Sequence, residues 1–115
     1  MNGDKLVQPL EGLKVIDCTL ALAGPYASLI LADLGADVIK IENPSQADMR
    51  NIGSEPVGAN KKEHDTPYKG ENGKFMIVNR NKRGLALNLK SEEGKKIFLK
   101  LVDSADILVQ NFRPG

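Results

Sequence analysis

The feature that most constrains the fold is a strand, helix and strand pattern in the first third of the chain. Residues 13–19 (LKVIDCT) are apolar and β-branched, which is typical of a buried strand. A helix is expected from about Pro25 to Leu34, because proline is favoured at the first helical position and Gly35 supplies a C-terminal stop. Residues 37–42 (DVIKIE) form a second predicted strand. Together these segments predict a βαβ unit with parallel strands and a right-handed crossover.

The second half of the chain continues the alternation of strands and helices. Residues 75–78 (FMIV) are apolar and residues 85–89 (LALNL) alternate with period two, so both are interpreted as strands. Ser91 is a predicted N-cap for an amphipathic helix, and residues 105–112 (ADILVQNF) form a further predicted strand. The fold class expected from this order is α/β, Rossmann-like, with a mostly parallel open sheet and flanking helices.

Residues 43–74 are expected to form one long loop. Prolines and glycines are scattered there among polar residues without a sustained apolar period. Loops of this length are usually functional or disordered, so the segment is either a lid facing a substrate or partner, or a mobile surface insertion. His64 lies in it without a second histidine or a cysteine cluster at metal spacing, so no metal is expected.

Length, charge and cysteine content narrow the class of protein. The 115 residues suit one domain, and 41% apolar with 27% charged residues is an ordinary globular balance. A net charge of +1 gives no reason to expect nucleic acid or membrane partners. Cys18 has no intramolecular disulfide partner, and the first nine residues resemble neither a signal peptide nor a transit peptide. No run approaches the roughly 18 apolar residues of a membrane span, so we expect a cytoplasmic protein.

Several residues could carry chemistry. The turn at residues 20–25 (LALAGP) lies where an open α/β sheet presents ligands, although it lacks the G-x-G-x-x-G fingerprint and could be a plain connection. Residues 79–83 (NRNKR) combine three cations with two amides, which suits phosphate recognition or a solvated basic loop. Glu42 ends the second predicted strand, where Rossmann proteins hold the ribose of a nucleotide, and is interpreted as a solvated carboxylate rather than a ribose contact. Asp17 is interpreted as a hydrogen-bonded structural carboxylate.

Five segments together resemble one known family. They are residues 10–17 (LEGLKVID), 23–25 (AGP), 31–42 (LADLGADVIKIE), 79–83 (NRNKR) and 105–115 (ADILVQNFRPG). In order and spacing they resemble the N-terminal blocks of family III CoA-transferases, which include formyl-CoA, carnitine and bile-acid CoA-transferases, with α-methylacyl-CoA racemase as a relative. The resemblance implies that residues 1–115 are the N-terminal part of a large CoA-binding Rossmann-like domain. It also implies an interlocked homodimer for the complete protein.

The resemblance implies a coenzyme A site, with coenzyme A bound as the acyl-CoA substrate. The residues expected to contact it are Leu22, Ala23, Asn43, Leu87, Asn88, Leu89, Lys90, Asn111, Phe112 and Arg113. Asn43 stands where some members of the family carry an arginine. These positions follow predicted strands, where cofactors are bound in open α/β sheets.

The resemblance also implies a reaction. Such transferases move coenzyme A from an acyl-CoA to a free carboxylic acid through an aspartate nucleophile. That aspartate follows the Asn-Phe-Arg-Pro-Gly block by many residues, so no catalytic residue is assigned here and the chain alone is expected to be inactive. The alternatives are a segment of a CoA-thioester racemase or epimerase, and a non-catalytic CoA-binding module.

Overall fold

A parallel four-stranded sheet forms the centre of the fold. The computed structural model describes residues 6–44 and 73–114. Its strands are β1 (Lys14–Asp17), β2 (Asp37–Glu42), β3 (Arg83–Ala86) and β4 (Ile107–Val109). They lie in the order β3-β2-β1-β4, and every pairing is parallel. The predicted α/β class with a parallel sheet is confirmed.

Helices make the connections that parallel strands need. The described helices are α1 (Ala23–Asp33), α2 (Gly73–Asn79) and α3 (Glu92–Asp103). Helix α1 links β1 to β2, and α3 links β3 to β4. Helix α2 precedes β3 and packs against α1.

The two central strands, β1 and β2, are buried on both faces of the sheet, and their side chains alternate between these faces. Val15 and Val38 pack with Ala32 of α1 on one face. Ile16 and Ile39 lie on the other face, whose apolar cluster also includes side chains of α3. Strands that are buried on both sides are expected to be largely apolar, as residues 13–19 of the first predicted strand are.

The helix ends follow the predicted signals with one shift. Helix α1 begins at Ala23, so Pro25 is its third residue rather than its first, a position whose N–H would still lack a partner within the helix. Gly35, with a φ of 103°, follows the helix as predicted. At the start of α3 the Ser91 hydroxyl accepts a hydrogen bond from the Gly94 amide at 3.0 Å, which confirms the predicted N-cap.

Two predicted elements are wrong in part, and the strands predicted at residues 13–19 and 105–112 are shorter in the structure, as β1 and β4. Residues 75–78 are not a strand but lie in α2, which also takes Gly73 and Lys74 from the predicted loop. Strand β3 begins at Arg83 and ends at Ala86, whereas the prediction placed a strand at residues 85–89. Its place is set by pairing with β2, where Ile39 lies opposite Arg83 and Glu42 opposite Ala86. Most of the predicted loop, with His64, lies outside the described residues.

The outer face of α1 is apolar. Tyr26 is 54% exposed, Ile30 46% and Leu34 41%. The sequence predicts this, because the helix is apolar on nearly every side while the sheet covers only one of them.

Candidate functional site

Two cavities lie where the parallel strands end, one on each face of the sheet. The first cavity has a volume of about 290 Å³ and lies on the face that α3 covers. Its lining residues are Cys18, Leu20, Ile41, Asn43, Leu87, Leu89, Lys90 and Phe112. Ligands of open α/β sheets bind at this edge, outside the carboxyl ends of the strands.

The first cavity brings together half of the ten residues expected to contact coenzyme A, namely Asn43, Leu87, Leu89, Lys90 and Phe112. They come from the segments after β2, β3 and β4, which are far apart in the sequence. The lining is mainly apolar, with an amide and a cation at its polar positions. An apolar wall with few polar groups is typical of a small-molecule site.

The other five residues do not line the first cavity. Leu22 lines the second cavity, while Ala23 and Arg113 line neither. Asn88 shapes the turn before α3, because its side-chain oxygen accepts from the Lys90 amide at 3.0 Å and its carbonyl accepts from the Ser91 amide at 3.1 Å.

Asn111 bonds to the protein backbone. Its side-chain oxygen accepts from the Leu20 amide at 2.8 Å, and its side-chain nitrogen donates to the Leu20 carbonyl at 2.9 Å. This pair of bonds fixes the turn after β1 to the end of β4. Asn111 therefore positions a wall of the site.

The turn that Asn111 holds has an unusual backbone. Ala21 has a φ of 64°, in the left-handed region, which costs a residue with a Cβ atom roughly 1–2 kcal/mol. Such strain persists only where the surrounding structure imposes it, and it is concentrated at functional sites. The strained residue lies between Leu20 and Leu22, which both line cavities.

We expect Asn111→Ala to loosen this turn. The free energy of unfolding should fall by about 1–3 kcal/mol, because two hydrogen bonds are lost. The Leu20 amide should exchange its hydrogen with solvent faster, as measured by NMR. Gln110→Ala is the control, since the Gln110 side chain bonds only to the Phe112 amide among the described residues. Equal exchange of the Leu20 amide in the two variants would contradict this account of Asn111.

The second cavity has a volume of about 260 Å³ and lies on the face that α1 and α2 cover. Its lining residues are Thr19, Leu20, Ala21, Leu22, Pro25, Lys40, Lys74, Phe75, Val78 and Asn79. Leu20 lines both cavities and so forms a common wall between them.

A buried ionic cluster lies beside the second cavity. The Asp17 carboxylate is fully buried and accepts hydrogen bonds from the hydroxyls of Thr19 and Ser28, each at 2.5 Å. It also accepts from the Lys82 ammonium at 2.9 Å. Burial alone raises the pKa of Asp17, but the bonds from Ser28 and Thr19 and the nearby charge of Lys40 outweigh it, so the pKa lies below its ordinary value. This confirms Asp17 as a hydrogen-bonded structural carboxylate.

The three cations of the basic segment 79–83 form ion pairs with carboxylates of the same chain. The Lys82 side chain is only 1% exposed and pairs with Asp17. Arg80 pairs with Asp33 at 2.5 Å. Arg83 holds Asp37 through two bonds of 2.9 and 2.6 Å. Each of these cations is paired with a carboxylate, which favours a structural role, but the side chains of Arg80 and Arg83 remain 55% and 64% exposed and their phosphate recognition stays a prediction.

The sequence interpretation assigned no function to Lys40. Lys40 is only 4% exposed, although it lies in a strand whose Val38, Ile39 and Ile41 are buried apolar residues. A lysine inside an otherwise apolar strand is a signal that sequence reasoning could have used, because a buried ammonium requires acceptors.

Cys18 lines the first cavity but is not a reactive thiol. Burial, followed by the nearby Asp17 carboxylate, raises the pKa of Cys18 to about 11. The thiol is therefore protonated at neutral pH, and only the thiolate is strongly nucleophilic. Cys18 serves as a small apolar wall residue.

Residues 6–44 and 73–114 offer neither a cluster of metal ligands nor a membrane-spanning helix. These residues contain no group of three or more His, Cys, Asp or Glu side chains that could hold a metal ion. Within the same ranges no helix is both long and apolar enough to cross a bilayer.

Comparison with known proteins identifies the family. The family described as CoA-transferase family III matches residues 10–115. Succinyl-CoA:mesaconate CoA-transferase of Haloarcula marismortui is 44% identical over 92% of this chain and 25% of its own length. Human succinyl-CoA:glutarate CoA-transferase is 41% identical over 95% of this chain and 23% of its own length. The chain thus spans about a quarter of the length of these curated relatives.

Solved structures agree with the sequence relatives. A CAIB/BAIF family protein from Brucella suis matches with a TM-score of 0.74 and 35% identity, over 91% of this chain and 26% of its own. A protein of Mycobacterium tuberculosis matches with a TM-score of 0.76 and 34% identity, over 95% of this chain and 27% of its own. The resemblance drawn from the sequence is confirmed, and the chain belongs to CoA-transferase family III.

Proposed function

We propose that this chain forms part of an enzyme that transfers coenzyme A from an acyl-CoA to a free carboxylic acid. The observation that carries the proposal is the first cavity, where residues after three different strands meet around an apolar pocket with a cation and an amide. The names of the relatives support transfer rather than racemisation, because both sequence relatives described above are CoA-transferases.

The lining of the first cavity is chemically suited to part of coenzyme A. Leu87, Leu89 and Phe112 offer an apolar surface for a flat base or an alkyl chain. Lys90 is exposed at the rim and supplies a positive point charge of the kind that binds phosphate. Asn43 can hydrogen-bond to polar groups of the ligand. We propose that this cavity binds coenzyme A and that the nucleophile comes from the rest of the protein.

We further propose that the complete protein is a homodimer that works in the cytoplasm. The exposed apolar face of α1, formed by Tyr26, Ile30 and Leu34, supports further cover by protein. The single cysteine, which has no disulfide partner within the chain, supports a reducing compartment.

We expect Lys90→Met to weaken coenzyme A binding about fivefold to tenfold, as for the loss of an exposed charge contact worth about 1 kcal/mol. The affinity should be measured by calorimetry at low and high salt, since added salt screens exposed charges. The difference between wild type and variant should shrink as salt is added.

Lys100→Met is the matched control, because Lys100 is an exposed lysine on α3 that does not line the first cavity. It should bind coenzyme A as the wild type does. A folded chain that binds no coenzyme A would contradict the proposed site. Binding by the complete protein without transfer activity would favour the non-catalytic module.

A further inference from the structure

The ionic cluster beside the second cavity contains more positive than negative charge. Asp17 contributes one buried carboxylate, whereas Lys40 and Lys82 contribute two buried ammonium groups. Among the described residues of the cluster this leaves one positive charge in excess. A buried charge is costly unless an opposite charge or several hydrogen bonds compensate it.

Lys82 has a full set of acceptors. Its ammonium donates to the Asp17 carboxylate at 2.9 Å, to the Pro25 carbonyl at 2.8 Å and to the Asn79 side-chain oxygen at 3.0 Å. An ammonium group has three N–H donors, so each donor is used. The Asp17 carboxylate is therefore the counter-ion of Lys82.

Lys40 is less well satisfied. Within the part of the chain that the structure describes, its ammonium donates one hydrogen bond, to the Thr19 carbonyl at 2.7 Å. Asp17 is its neighbour across the strands and lowers the cost of burying it, but shares its single charge with Lys82. Two donors of Lys40 remain for other acceptors, and a second negative charge would balance the cluster.

The second cavity can admit such a charge. Lys40 lines it, together with the apolar side chains of Leu20, Leu22 and Phe75. Its volume of about 260 Å³, like that of the first cavity, is below the roughly 300–1,000 Å³ of sites for drug-sized ligands, so it suits a small ligand or one end of a larger one. The lining thus favours a small anion with an apolar body, which is the chemistry of a short-chain carboxylate.

We propose that the second cavity binds a carboxylate through the ammonium of Lys40. The inference rests on the proposed function in one respect, namely that a carboxylic acid is a substrate. It adds the place where that carboxylate lies, across Leu20 from the coenzyme A cavity. The bound carboxylate has two conceivable sources, namely a free carboxylic acid and a carboxylate at the end of an acyl group.

The test uses propionate as a free carboxylate and propionamide as its neutral analogue of similar shape. The NMR signals of the Lys40 ε-methylene group should shift saturably with propionate and not with propionamide. Lys40→Met should weaken propionate binding by roughly thirtyfold or more, as expected for the loss of a buried charge partner. Lys96→Met, at an exposed lysine on α3, should bind propionate as the wild type does.

Three results would overturn the inference. They are the absence of a saturable Lys40 shift, equal shifts with propionate and propionamide, and unchanged propionate binding in Lys40→Met. If Lys40→Met does not fold, the comparison of the two ligands on the wild type decides. Succinyl-CoA, whose acyl group ends in a carboxylate, then separates the two sources. If succinyl-CoA displaces propionate and coenzyme A does not, the cavity holds a carboxylate on the acyl group. If neither displaces propionate, the cavity holds the free acid.

Coenzyme A binding is measured separately on the same samples. Lys40 does not line the first cavity, so Lys40→Met should keep the coenzyme A affinity of the wild type. Loss of carboxylate binding together with intact coenzyme A binding supports the inference. Coenzyme A binding without any propionate binding would refute the inference and leave the proposed function standing.

Discussion

Asp17→Asn is expected to lower the free energy of unfolding by about 3–5 kcal/mol, because it leaves buried cations without their counter-ion. Asparagine keeps the shape of aspartate but lacks its charge. Its NH₂ group would also face the hydroxyl of Ser28 or Thr19, each of which now donates to the carboxylate. Lys82, with a side chain 1% exposed, would then be a buried ammonium paired only with neutral oxygens.

Urea unfolding monitored by circular dichroism measures this loss. Asp37→Asn is the matched control, because Asp37 makes the same kind of charge pair with Arg83 at a side chain that is 44% exposed. An exposed pair contributes at most about 1 kcal/mol, so the control should change little. If the two variants lose similar free energy of unfolding, burial of the Asp17 pair does not determine its contribution to stability.

The same cluster predicts a pH dependence. The folded-state pKa of Asp17 lies below its ordinary value, so the folded protein holds this carboxylate ionised where the unfolded chain begins to protonate. Its contribution to stability is therefore complete above pH of about 4 and is lost as the pH falls through the lowered folded value. Asp17→Asn should lack this part of the acid-induced loss of stability.

Gly94→Ala is expected to destabilise the protein by about 1–3 kcal/mol or more, because a Cβ atom there would overlap the backbone carbonyl of Asn88. Gly94 is buried in the first turn of α3, and its amide donates to the Ser91 cap. A backbone carbonyl cannot rotate away as a flexible side chain can. The turn at residues 88–90 would have to shift, and coenzyme A affinity should fall together with stability.

Gly73→Ala is the control for this substitution. Gly73 also lies in the first turn of a helix, but no atom of the described residues lies within 4 Å of the position its Cβ would take. Alanine there should be neutral or stabilise the chain by up to about 1 kcal/mol, since glycine is a poor helix former. Thermal unfolding of both variants gives the comparison. Equal melting temperatures would exclude a clash at Gly94.

The βαβ unit could be predicted because its signals are local. Strand β2 has the predicted bounds, and Gly35 ends α1 as predicted. Residues 75–78 were assigned to the wrong element, because four consecutive apolar residues have no period that distinguishes a strand from a turn of helix. Strand β3 was misplaced because pairing with β2 sets its bounds, and sequence pattern does not contain that pairing.

In the candidate site, too, the sequence predicted some features, whereas others depend on contacts between distant segments. The resemblance placed Asn43, Lys90 and Phe112 in one site, and these three residues do line one cavity. Asn111 was also expected as a ligand contact. Its hydrogen bonds to Leu20 could not be predicted, because they depend on the distance between two turns that are 91 residues apart in sequence. The pairing of Lys82 with Asp17 likewise exists only in the folded chain.

The position of Leu20 has a consequence for how two ligands would affect each other. Leu20 lines both cavities, and its backbone is fixed by Asn111. A ligand that pushes this side chain from one side changes the space available on the other. The affinities for the two ligands would then be linked thermodynamically, with reciprocal effects of equal size. Under the proposed function, Leu20 would couple the binding of coenzyme A to the binding of the carboxylate.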